Sequence, residues 1–140
     1  MSGELPMVAT RAPGLIVAHY EWPHHLLPAS QDDLVVAARA ASSMGPVGLV
    51  FVLAERITQV DPSVRGFWCK AAGDRAFRIA TMAIVTRSFA VEVEAMGFAE
   101  TCRLHGAPVR VLTFDEEHDG VAWTARMLRQ ARARSAAASA

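Results

Sequence analysis

The chain has no stretch of about 18 uninterrupted apolar residues, the length a membrane-spanning helix needs. Its opening, MSGELPMVATRAPG, has no basic start followed by an apolar run, so no leader segment is read there. The expectation is a soluble chain of the cytoplasm. There is no excess of either charge: 14 acidic residues balance 14 lysines and arginines, which speaks against polyanions, and neither nucleic acid nor membrane is expected as a partner. Cysteine is scarce. Cys69 and Cys102 stand far apart, each in a helix-like apolar pattern, where a free thiol behaves as a small buried hydrophobe and no disulfide framework is implied. Also missing are G-x-G-x-x-G, the Walker A loop, G-x-S-x-G and any zinc-ligand spacing. Nucleotide, hydrolytic and metal chemistry thus lack motif support, so no cofactor, metal or catalytic residue is assigned.

What the chain does have is apolar content, 52% of 140 residues, enough for one domain that buries roughly 68% of its unfolded surface. Residues 1–13 read as a flexible segment or an edge strand. Gly14 to Trp22 is β-branched and aromatic, with Pro23 stopping it. Ser30 is placed as the cap of a helix with Asp32 and Asp33 in its first turn and Leu34, Ala37, Ala38 and Ala41 on one face. Gly45 and Pro46 end it. VGLVFVL, Val47 to Leu53, is a short continuous apolar run, as in a strand buried on both faces. Asp61 then caps a helix with Pro62 at its first position, running to about Phe77 with Val64, Phe67, Trp68 and Ala71 as its stripe. Thr81 to Thr86 is the next strand. Ser88 caps a helix ended by Gly106, Val109 to Phe114 is a strand, and Asp115, Glu116 and Glu117 open the last helix, with Val121, Ala125 and Leu128 on one face.

Short connections between alternating strands and helices favour parallel pairing with right-handed crossovers. The predicted fold is α/β: a single-layer, largely parallel or mixed sheet of four to five strands with packed α-helices, over residues 14–130. Residues 131–140 are expected to fray.

Polar clusters give little chemistry. His24 and His25 are adjacent, lack a third ligand at metal spacing and read as a solvated loop pair. Glu116, Glu117, His118 and Asp119 form the acidic first turn that a helix dipole favours. Arg126, Arg129, Arg132 and Arg134 read as a solvated basic tail. More informative is the helix from Phe89: Val91, Ala95, Phe98 and Cys102 share one side, while Phe89, Val93 and Met96 share nearly the opposite side. One stripe serves the sheet. The other calls for a neighbouring helix or a partner subunit. Gly66, Cys69 and Gly73 form a small-residue stripe on the preceding helix, and two glycines on one helical face, each costing about 1 kcal/mol against alanine, suit a close approach by another backbone or a ligand.

From about Leu15 to Leu128 this pattern resembles the STAS domain, found in anti-sigma-factor antagonists and the cytoplasmic tails of sulfate transporters, and particularly its small stand-alone bacterial relatives. There a buried strand leads to a helix opening D-S/T-S/T-G; here VGLVFVL leads to VDPSVRG, in which Asp61 and Ser63 match while Pro62 and the late Gly66 do not. VRVLTFDEEHDGVAWT is similar to the closing strand and acidic helix of those relatives at Phe114, Val121, Ala122 and Trp123, and departs at Gly120 and Thr124. The resemblance implies a non-catalytic regulatory domain that binds another protein or a second copy of itself, with Ser63 as a candidate phosphorylation site. Asp61, Arg65, Gly66, Cys69, Gly73, Phe89, Val93 and Met96 are the expected interaction residues. The alternative is a carrier of a small ligand or anion at the helix N-terminus from Asp61 to Gly66; an enzyme with an unfamiliar site is the third reading.

Overall fold

A computed structural model describes residues 5–139. The N-terminal segment supplies an edge strand, β1 (Met7–Ala12), which turns at Gly14, φ 79°, into the antiparallel β2 (Leu15–Tyr20). Two 3-10 turns, Pro23–Leu26 and Pro28–Ser30, lead into α1 (Asp32–Ser42). Then follow β3 (Val47–Leu53), α2 (Pro62–Gly73), β4 (Ile79–Val85), α3 (Phe89–Leu104), β5 (Arg110–Phe114) and α4 (Glu117–Ser139). The five strands lie in chain order, and β2 to β5 are mutually parallel. The mixed α/β sheet predicted from the alternation of elements is therefore the observed one.

Chain-order parallel pairing means that each crossover steps the same way. Crossovers of one hand that step one way place their helices on one face. α1, α2 and α3 accordingly share a face, burying Leu34, Val64, Trp68, Val91 and Phe98 against Ile16, Leu49, Phe51 and Met82. α4 covers the other, with Trp123, Met127 and Leu128 on Leu15, Val17, Val50, Ala83 and Val85. The strand residues split between the two clusters by the period of two that a pleated strand imposes. VGLVFVL is buried at six of its seven positions, as a strand covered on both sides requires.

α4 sits unusually close to the sheet because two glycines admit it. A Cβ on Gly48 would stand 2.5 Å from Thr124 Cγ2, and one on Gly120 would stand 3.0 Å from Val85 Cγ2. Gly120, which departs from the STAS-like closing pattern, is thus the residue through which the helix approaches β4.

Several local expectations are corrected. Ser30 does not cap α1: its hydroxyl donates to the His24 carbonyl, and Gln31 takes the cap position. Gln31 is itself buried, accepting from the Tyr20 hydroxyl at 2.7 Å and donating to the carbonyls of His25 and Leu27. Burial pushes the Tyr20 hydroxyl well above its ordinary pKa. His25 is not solvated. It is buried, and its Nδ1 accepts from the Glu21 backbone N–H at 3.1 Å. α2 ends at Gly73, short of Phe77, because Asp74 leaves the helix and its carboxylate accepts from the Ala76 N–H. The last helix does not fray at 131 but continues to Ser139, with Ala131 buried and Arg132 donating to the Pro13 carbonyl, so the tail arginines lie on a helix.

Candidate functional site

The layer formed by α2 and α3 carries the residues singled out from the sequence. α2 starts as expected: Asp61 is its N-cap, and one carboxylate oxygen, Oδ1, accepts from the Ser63 N–H at 2.9 Å and from the Ser63 hydroxyl at 2.6 Å. The hydroxyl bond first, and the backbone bond second, hold the Asp61 carboxyl below the usual range. The position that an anion would take at this helix start is therefore filled by the chain's own carboxylate. Ser63 is exposed, and its hydroxyl is a donor to a negative group.

Arg65, one turn further on, reaches across to α3. Its Nε donates to Glu94 Oε1 at 3.0 Å, and its guanidinium lies over Gly97, where a Cβ would stand 2.4 Å from Nη2 and 3.1 Å from Cζ. Both side chains of this pair are about one-third exposed, so its net contribution to stability is that of a surface bridge, about 0–1 kcal/mol. Another turn along, Cys69 meets Cys102. The Cys102 thiol is pushed up to about 11, chiefly by burial and further by the neighbouring Cys69 thiol. Both cysteines are free. Facing residues of α2 and α3 thus meet at two successive levels, Arg65 with Glu94 and Cys69 with Cys102.

Beneath the Arg65–Glu94 pair, between the two helices and the sheet, lies a cavity of about 80 Å³. Its walls include Leu26, Phe51, Val64, Trp68, Ala95 and Phe98, and Arg65 and Glu94 are its only charged lining residues. The lining surface is almost wholly apolar, so Arg65 and Glu94 border it chiefly with their hydrocarbon stems, and most of the walls belong to the core.

On α3 the two opposed stripes behave differently. Val91, Ala95, Phe98 and Cys102 are buried, as their spacing predicts. Phe89, Val93 and Met96 are 77%, 50% and 68% exposed, and Leu104, which the sequence reading did not include, extends the row at 70%. At 100° per residue the four fall within an arc of roughly 80°. Glu100, paired with Arg103, interrupts the row. Of the two occupants expected for this stripe, no neighbouring helix among the described residues covers it. Gly66 and Gly73 on α2 are also exposed, and a Cβ at either would meet nothing within 4 Å, so none of the described residues makes the close approach their spacing suggested.

The acidic first turn of α4 is occupied by ion pairs. Glu117 accepts from His19 Nε2 at 2.7 Å and from Arg11 at 3.0 Å, and Glu116 pairs with Arg87. The His19 hydrogen bond, ahead of the Arg11 contribution, holds the Glu117 carboxyl below the usual range. Among the described residues, no group of three or more His, Cys, Asp and Glu side chains is placed to hold a metal ion, and no helix is long and apolar enough to cross a membrane.

No protein-family model, no curated protein and no solved structure matches the chain.

Proposed function

We propose that this chain is a cytoplasmic, STAS-like regulatory domain that works without catalysis, by binding another protein through the outer face of α3. The observation that carries the reading is the exposed apolar row Phe89, Val93 and Met96 on the first half of α3, a helix about 24 Å long, with Leu104 beyond Glu100 at its end. Exposed apolar patches of this kind mark interaction sites in soluble proteins. A phenylalanine at the start of the row and a methionine at its middle are residue types enriched at interfaces. The bare backbone of Gly66 and Gly73 on the adjoining helix lets a partner come close beside that row. Asp61 and Ser63, at the start of α2, belong to the same helix layer and supply the position at which a phosphate would alter binding.

A photoreactive amino acid placed at position 96, in chain expressed in its native cells, tests this. Val36, an equally exposed apolar residue on α1, is the control position. The expected result is one defined cross-linked species from position 96, absent from position 36 and abolished by Phe89→Asp. Equal, diffuse cross-linking from both positions would refute the reading. Sedimentation of the purified chain over a range of concentrations separates a second copy from a different protein as the partner.

A further inference from the structure

A cleft of about 540 Å³ opens at the end of the sheet where β3 and β4 begin, between the loop that follows α2 and the last turns of α4. No residue of α3 lines it, so it is separate from the partner face. We propose that this cleft binds an organic phosphate monoester, a dianionic head group joined to an apolar body. Its volume is within the range of small-molecule sites, about 300–1,000 Å³. Three arginines, Arg75, Arg78 and Arg134, line it against one acid, Asp74, whose carboxylate already accepts from the Ala76 N–H. The excess of two positive charges is the complement of a phosphate monoester at neutral pH.

Arginines gather at helix C-termini for a general reason, since the dipole draws cations there. Those that serve the fold show it by their contacts: Arg78 donates from Nη1 to the Ser42 carbonyl at the end of α1, and Arg132 donates to the Pro13 carbonyl. Arg75 and Arg134 make no hydrogen bond, ion pair or ring contact among the described residues, yet they line one cleft from two different elements. Two unspent guanidinium groups can meet one phosphate through paired N–H···O bonds. Arg78 adds a second sign. Its φ of 48° lies in the left-handed region, a strained conformation for a side chain of this size and one that collects at ligand sites. The bond from the Val47 N–H to its carbonyl, 3.0 Å, holds it there.

The field of the whole molecule points the same way. Strands β2 to β5 are parallel and the four helices return against them, so the acidic first turns, with Asp32, Asp33, Glu92, Glu117 and Asp119, sit at the far end of the sheet. The basic last turns, with Arg39, Lys70 and Arg103, sit at the end that holds the cleft. A chain of zero net charge thus presents a positive end, and a concave surface there concentrates anions. The remaining lining includes Pro46, Ile79, Pro108 and Ala131 and has no aromatic ring, so the body of the ligand is held by apolar contact rather than by stacking.

The test is a titration of the isotope-labelled full chain with 1-naphthyl phosphate, followed by amide NMR shifts. Saturable shifts are expected at Gly73, Ile79, Ala80 and Ala131. Inorganic phosphate, which lacks the body, and 1-naphthol, which lacks the charge, should each bind about tenfold more weakly or worse. Arg75→Gln and Arg134→Gln should each weaken the ester about tenfold, the order of a lost hydrogen bond to a charged group. Arg129→Gln removes the same charge from α4 at a position that does not line the cleft, and should weaken it by about twofold or less. The dispersion of each variant's spectrum reports that it is folded. Absence of saturable shifts at those four positions, binding of inorganic phosphate or 1-naphthol as tight as that of the ester, or equal weakening by Arg129→Gln overturns the proposal.

Discussion

Replacing Gly48 with alanine probes how closely α4 is seated on the sheet. The added Cβ would stand 2.5 Å from Thr124 Cγ2, 2.8 Å from Thr81 Oγ1 and 3.2 Å from Leu128 Cδ1. Carbon atoms settle at about 3.5–4.0 Å, so the helix must lift by about 1 Å or Thr124 must change rotamer. The second route is opposed by the bond from Thr124 Oγ1 to the Gly120 carbonyl, 2.8 Å and buried. Overpacking of this kind costs about 1–3 kcal/mol. Alanine returns about 0.4–1 kcal/mol by reducing the freedom of the unfolded chain. The net expectation is a loss of about 1–2 kcal/mol, which lowers a urea midpoint by about 1 M at a typical slope. Urea titration followed by tryptophan fluorescence measures it, since Trp123 lies on the same helix. Thr124→Ser, made in the Gly48→Ala background, removes Cγ2 and keeps the hydroxyl. It should recover part of the loss, the contact with Thr81 Oγ1 remaining. A Gly48→Ala midpoint equal to that of the parent, or no recovery by serine, would refute the close seating.

Trp123, buried against Phe114 with ring centres 5.6 Å apart, should cost about 3 kcal/mol when replaced by alanine, read from the same titration; a midpoint unchanged within error would place it outside the core. The Glu117 carboxyl is held low in the folded state, so its contribution to stability is present above the ordinary carboxylate range and is lost as pH falls through the folded value. Glu117→Gln should therefore flatten the acid side of a melting-temperature profile below about pH 4.5, and an unchanged slope would remove the His19 and Arg11 bridges from the account. Ser63→Asp sets a second carboxylate beside Asp61 and should melt below Ser63→Ala at neutral pH; an unmodified Ser63 in protein from its native cells, with both variants equal in partner binding, would leave Ser63 as a first-turn helix residue only.

Features with a short period or a local cap were legible in the sequence. The buried strand VGLVFVL, the cap at Asp61, the cap at Ser88 and the inner stripe of α3 all rest on neighbours within a few residues, and all appear as read. What escaped rests on distance along the chain. Gln31 displaces Ser30 as the start of α1 because Tyr20 and the His25 carbonyl draw its side chain inward. The tail reads as a fraying segment by composition, yet Ala131 is buried and Arg132 finds the Pro13 carbonyl. At the candidate site, Arg65 was legible as a residue near the start of α2, but its partner is Glu94, on another helix. Gly97 gave no local signal at all, since its role is defined only by the guanidinium lying on it. The outer stripe of α3 was visible by spacing, and only the assembled fold shows that nothing in the described chain covers it.

The position of α4 also sets an order of events during synthesis. Each of the first three helices can close over its strands soon after both have emerged, because neighbours in the sheet are neighbours in the chain. The opposite face has no such local cover. Leu15, Val17, Val50, Ala83 and Val85 must wait for Trp123, Met127 and Leu128, which leave the ribosome after all five strands. Until then the nascent chain is a half-clad sheet whose apolar side is open to other chains, so a ribosome stalled before α4 releases an aggregation-prone product rather than a smaller stable domain.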